Sequence, residues 1–205
     1  MTMKLYSVFL LVATATVLSP GPGVVMSLTN SIRYGFRGCL GGILGIAFGA
    51  LVVAGISATS VGIVLATSAP AFTVVKLVGA AYLIVLGTRL WRAPPFSFAN
   101  RQTHAASFSR RFVGGMSMQL TNPKAIFFFL SVLPQFIDTA TDYVTQFAVL
   151  VLSYCGLVVG IHCGYALLAR QAERWLTSSR GGTTFNRTAS VAFVIFGVAL
   201  AVARQ

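Results

Sequence analysis

The chain alternates between long apolar runs and short polar or basic connectors. Six apolar segments can be read: Leu5–Leu28, Gly38–Ala66, Ala71–Leu90, Phe112–Ile137, Tyr143–Ala169 and Thr188–Ala203. Runs of roughly 17 to 25 apolar residues are what a helix needs to cross a bilayer. The last run, at 16 residues, is the shortest. Two of the runs are interrupted near their middle, by Ser19-Pro20-Gly21-Pro22-Gly23 in the first and Thr121-Asn122-Pro123-Lys124 in the fourth. Proline removes a backbone donor and clashes with the preceding turn, so no helix continues through these sites. In lipid a broken helix is tolerated only where it is buried in protein or lines a watery cavity. Paired breaks at matching places in two halves point to a transporter's binding site.

The one long connector, Arg89–Arg111 with Pro94-Pro95, divides the segments into two sets of three. The expected organisation is a first three-helix repeat over 1–92, a basic linker over 93–111 and a second repeat over 112–205. With an odd number of spans in each half, the second half enters the membrane upside down. Gly41, Gly45 and Gly49 in the second segment match Gly156, Gly160 and Gly164 in the fifth. Such four-residue ladders let helix backbones approach closely in lipid. The expected fold is an all-α membrane protein: six transmembrane helices in two inverted three-helix repeats, with proline-broken first and fourth helices.

Composition sharpens the class. Of 205 residues, 56% are hydrophobic and 9% charged, against roughly 25% charged in a soluble domain. The mean hydropathy is +0.83. The net charge of +12 would suit a nucleic-acid partner, but the basic residues sit in short loops. They read better as topology signals, and no soluble surface remains to present a basic patch. Eleven basic residues follow segments one, three and five, whereas the other side carries only Lys4 and Arg204. By the positive-inside rule the eleven face the cytoplasm and both termini lie in the periplasm. Lys4, Leu5–Leu18 and Ala13-Thr14-Ala15 imitate a signal peptide. The apolar run resumes at once after the prolines, however, and cleavage would leave an odd count of spans. The cysteines Cys39, Cys155 and Cys163 all fall in apolar runs and read as small filler.

At about 1.5 Å per residue both breaks fall near mid-membrane. The half-helices restarting after Pro22 and at Pro123 then point their N-termini at one depth, where free N–H groups and positive dipole ends favour an anion. Lys124 adds a full charge there, and a lysine within lipid is a functional hypothesis by default. Its expected role is to hold a substrate carboxylate. Lys76, nearer the outer surface, could equally snorkel. No acid lies inside a span. His162, the one histidine within a span, is either a packing residue or a coupling group that titrates near physiological pH. Asn122, Gln119 and Asn30, carbonyls freed by the prolines, or the faces of Phe127–Phe129 could receive a substrate amine. No metal motif occurs, and no G-x-S-x-G elbow surrounds Ser117, so neither an enzyme nor a cofactor is expected. A scaffold or assembly factor would explain the glycine ladders but not the broken helices.

These residues resemble the LysE/RhtB family of bacterial amino-acid exporters over nearly the full chain. Ser19-Pro20-Gly21-Pro22, Arg33-Tyr34-Gly35 and Gly45-Ile46-Ala47-Phe48-Gly49 carry the resemblance in the first half, with Lys76-Leu77-Val78-Gly79-Ala80-Ala81-Tyr82-Leu83. Asn122-Pro123-Lys124-Ala125, Phe128-Phe129 and Pro134 carry it in the second. The resemblance implies six hydrophobic segments in the cytoplasmic (inner) membrane and export of amino acids or close derivatives, driven by the proton gradient. It also implies a role for Lys76. The family's proline motif is usually followed by Asn or Asp, where this chain has Gly23. The expected substrate site is Pro20, Gly21, Pro22, Gly23, Asn122, Pro123, Lys124 and Lys76, with His162 as coupling candidate. The expected partners are the small-molecule substrate, the lipid bilayer and a further copy of the chain in a homo-oligomer.

Overall fold

The computed structural model describes residues 2–19, 21–67, 69–95, 107–138 and 142–202. The side chains at 59–72, 75–76, 170, 172–173, 176 and 200 lie outside the described residues. Every regular element described is helical. α1 (Met3–Leu18) is followed by α2 (Pro22–Thr67), α3 (Ala69–Trp91), α4 (Phe108–Leu120) and α5 (Pro123–Phe127). α5 runs on into a π turn, Phe128–Val132, and a 3-10 turn, Leu133–Phe136. α6 (Tyr143–Leu167), α7 (Ala169–Thr177) and α8 (Ser179–Val202) complete the chain.

Sequence chemistry accounts for the interruptions. Gly35, at φ 70° and ψ 178°, breaks α2 internally in a conformation that only glycine adopts readily. The helix that restarts at Pro22 is therefore parted from the helix of the second apolar segment by a kink at Gly35, with no longer loop between them. Pro134 lacks the N–H that would continue α5, and the chain relaxes through the π turn just ahead of it. Segment six is longer than its apolar run suggests, because α8 begins nine residues earlier, in the polar Ser179–Arg187 stretch. Asn186 fastens that stretch to the start of the linker by donating to the carbonyls of Ala93 and Pro94 at 3.2 and 3.1 Å.

The centre of the bundle is aromatic. Phe9 of α1 lies 6.1 Å from Phe128 and 5.4 Å from Phe136, ring centre to ring centre. Tyr154 of α6 packs 4.8 Å from both Phe128 and Phe129. α2 packs chiefly on α4 and α6, and α3 on α8. Glycine makes the α2–α4 contact possible. A Cβ on Gly45 would collide with the Phe112 carbonyl, and one on Gly115 with the Gly42 carbonyl. The ladder in α6 differs, since Cβ atoms on Gly156, Gly160 and Gly164 would meet nothing within 4 Å. The two ladders expected to be equivalent are thus used differently.

The outer surface carries Leu11, Ile56, Leu152 and Val202, each more than 60% exposed, the kind of apolar patch that marks contact with lipid or protein. Among the described residues, 22–58 of α2 and all of α6 are long and apolar enough to cross a membrane.

Candidate functional site

The first break leaves the last carbonyls of α1 without partners inside their own helix. Ser19 closes part of that end locally, its N–H donating to Ala15 O at 3.0 Å and its Oγ to Thr16 O at 2.8 Å. Tyr165 of α6 donates its hydroxyl to Leu18 O at 2.9 Å. The rest comes from the second break. Lys124 Nζ donates to Thr16 O at 2.7 Å, Ser19 O at 3.1 Å and Ser19 Oγ at 2.7 Å. An ammonium has three N–H groups, and each has an acceptor here. Thr16 and Ser19 are each 1% exposed, so the charge rests on a buried helix C-terminus, whose partial negative charge favours a cation.

The second break is held by its own cap. Asn122 Oδ1 accepts the Lys124 N–H at 3.1 Å, and the Asn122 carbonyl accepts those of Ala125 and Ile126 at 3.0 and 3.1 Å. Pro123, first in α5, has no N–H to satisfy. The free donors expected at this end are therefore already engaged by Asn122. Its side-chain nitrogen points back to Gln119 Oε1 at 3.4 Å.

The two breaks share one cavity. Gly21, Gly23 and Val24 line it from the first, Asn122 and Lys124 from the second. Val17, Ile46, Gln119, Tyr154, Val158 and His162 complete its wall. Its volume is about 20 Å³, room for about one water and far below the roughly 300 Å³ of a small-ligand site. The space at this point is too small for an amino acid. His162 is 4% exposed, and its Nδ1 lies 2.7 Å from Ser27 Oγ. A Cβ on Gly23 would stand 3.1 Å from His162 Cε1 and 3.4 Å from Ile46 Cδ1. Glycine at 23 is what lets α6 come this close. No carboxylate lines the cavity among the described residues.

Of the residues singled out in the sequence, Gly21, Gly23, Asn122, Lys124 and His162 thus come together, with Pro22 and Pro123 opening the two flanking helices. Pro20 and the Lys76 side chain lie outside the described residues. Gln119 is in the wall, but Asn30 is not; its amide nitrogen is buried without a partner. The phenylalanines are elsewhere: Phe128 and Phe129 are core residues, and Phe127 stacks on Tyr82 at 4.2 Å. Sequence reasoning missed Thr16, Ser27, Tyr154 and Tyr165. The last two share one face of α6 with Val158 and His162, a spacing of three and four that was open to reading.

A helical bundle that sets a half-buried cation beside a small cavity where two interrupted helices meet has the design of a membrane translocator. The chain belongs to the LysE type translocator family, whose model matches residues 14–204. It is 35% identical over the whole of both chains to an uncharacterized membrane protein of Vibrio cholerae. It is 31% identical, again over the whole of both chains, to a homoserine/homoserine lactone efflux protein of Salmonella typhimurium. A leucine efflux protein of Salmonella choleraesuis is 31% identical over 74% of this chain and 75% of its own. No solved structure matches the chain.

Proposed function

We propose that this chain is a secondary transporter that exports amino acids or close derivatives across the cytoplasmic membrane in exchange for protons. The observation that carries the reading is Lys124, a cation in the wall of a small cavity that both helix breaks line. The names of the relatives support the substrate class, since efflux of homoserine, its lactone and leucine is attributed to them. These compounds share a primary α-ammonium, and all but the lactone carry a free carboxylate.

In this reading the bundle has six spans arranged as two inverted halves, 1–92 and 112–205, joined by the basic linker 93–111, with both termini periplasmic. The α3–α8 pairing supports it, because the third span of each half then packs on its counterpart. The substrate carboxylate is held by Lys124 and the N-terminus of α2 at Gly21, Pro22 and Gly23, with Asn122 and Lys76 as further contacts. His162, hydrogen-bonded to Ser27 and facing the same cavity, carries the exchanged proton. Because the cavity is too small for an amino acid, export requires an opening in which Lys124 leaves the α1 carbonyls. A second reading, a non-transporting scaffold or assembly factor, draws on the unpacked glycine ladder of α6.

Retention of labelled homoserine, homoserine lactone and leucine by cells with and without the chain separates the two. Transport predicts faster loss of at least one compound from cells that carry the chain. Equal retention of all three favours the scaffold.

A further inference from the structure

The group that holds Lys124 offers it three acceptor oxygens. Thr16 O, Ser19 O and Ser19 Oγ converge on Nζ at 2.7, 3.1 and 2.7 Å. They are the end of α1, kept free of helical pairing because Ser19 turns away at φ −58°, ψ 141°. Nothing in this arrangement is specific to lysine. Any primary ammonium with three N–H groups meets the same three oxygens.

The cage also adjoins the cavity. A Cβ on Gly21, which lines that cavity, would lie 3.5 Å from Nζ. A zwitterion entering here brings an ammonium as well as a carboxylate. The described wall offers no acid to pair it, and a second cation beside Lys124 is repelled. The acceptors suited to it are those that Lys124 already occupies.

We propose that this cage is the binding site for the substrate's α-ammonium, and that Lys124 is its resident occupant in the closed state. The inference rests on the export reading above and specifies how that site works. The incoming ammonium takes over Thr16 O and Ser19, and the displaced Nζ turns on its flexible four-carbon stem to the substrate's carboxylate. Three N–H···O bonds are exchanged for three others, and each charge ends opposite its complement. Empty and loaded states are then both satisfied, while a half-released lysine is not, which ties opening to the arrival of substrate. The site selects an unsubstituted ammonium: an N-acylated amine has neither the charge nor the donors.

The test is equilibrium binding of labelled L-homoserine and L-homoserine lactone to the purified full-length chain in lipid nanodiscs, with N-acetyl-L-homoserine as competitor. The lactone carries the ammonium but no carboxylate. In Lys124→Ala the cage loses its resident cation. Affinity for the lactone is expected to rise by about tenfold, because the competing occupied state disappears, while homoserine binding falls. Ser19→Ala placed on Lys124→Ala removes one acceptor with no resident cation to weaken as well, so it lowers lactone affinity several-fold, and N-acetyl-L-homoserine competes in no variant. Unchanged or weaker lactone binding in Lys124→Ala overturns the cage, even where homoserine binding is lost and the carboxylate role survives. Undiminished homoserine binding in Lys124→Ala removes the carboxylate role and leaves the cage to the lactone result. A wild-type chain that binds neither ligand overturns both. If Lys124→Ala does not fold, Lys124→Met decides, and unchanged or weaker lactone binding there overturns the proposal.

Discussion

The ammonium of Lys124 lies 2.7 Å from the carbonyl oxygen of Thr16, 108 positions earlier in the chain. One side chain thus joins the C-terminus of one interrupted helix to the N-terminus of another. The first consequence concerns stability. Moving a lone charge out of the membrane interior relieves about 3 kcal/mol on insertion scales, so the sequence alone suggests that Lys124→Met is neutral or stabilising. The structure reverses this, because the charge is already satisfied. Thr16 O would retain Ser19 Oγ as donor, but Ser19 O would lose the one seen here. An unmet buried acceptor costs about 1–3 kcal/mol. Lys124→Met should therefore melt several degrees below wild type in detergent, and Lys124→Arg in between. A melting point at or above wild type for Lys124→Met would show that the cap contributes nothing.

The glycines give a second contrast. Gly45→Ala drives a methyl group into the Phe112 carbonyl, where rigid backbone cannot yield. Gly160→Ala meets open space and relieves the entropic cost of glycine in a helix, about 1 kcal/mol. Folded yield in membranes should drop sharply for the first and hold for the second. Equal yields would place α2 and α4 further apart than described.

These glycines also mark how far the sequence could be read. The breaks at Ser19–Gly23 and Thr121–Lys124 were legible because proline acts locally, and the runs around them because burial in lipid demands continuous apolarity. The partners were not. Nothing in the spacing says that Lys124 reaches Thr16, since that contact depends on how two distant helices cross. The ladders in α2 and α6 have the same period but different surroundings, so period alone could not tell a packed face from an open one. α8 was read short because its first turns are polar, yet its polar residues find distant carbonyls: Ala93 and Pro94 at the start of the linker for Asn186, and Gly87 of the first half for Ser190.

A third prediction concerns the N-terminal end of α6. Asp142 caps that helix, its Oδ2 accepting the Thr145 N–H at 2.9 Å. Hydrogen bonds from the Thr145 side chain and backbone hold its carboxyl below the ordinary value of 3.8. A carboxyl depressed in the folded state stabilises above its unfolded value, and that contribution is lost as pH falls through the folded one. Wild type should therefore lose stability relative to Asp142→Asn as pH drops below 3.8, since the amide still caps but does not titrate. A difference between the two that stays constant with pH would contradict this.

The fourth concerns coupling. If His162 carries the exchanged proton, His162→Gln should flatten the profile of efflux against external pH. Ser27→Ala, which removes the partner of Nδ1, should shift that profile without abolishing export. A wild-type profile in His162→Gln would make the residue a packing histidine.

The most direct test of the account is efflux by Lys124→Ala compared with wild type, at equal membrane abundance and with the same labelled homoserine and leucine. If the charge at the meeting of the two breaks holds the substrate carboxylate, the variant should export neither compound above the rate of cells lacking the chain. Lys124→Arg should recover only part of the rate, because a planar fork does not replace a compact ammonium in a narrow site. Wild-type efflux by Lys124→Ala at equal abundance would contradict the account, leaving Lys124 as a structural cap for α1.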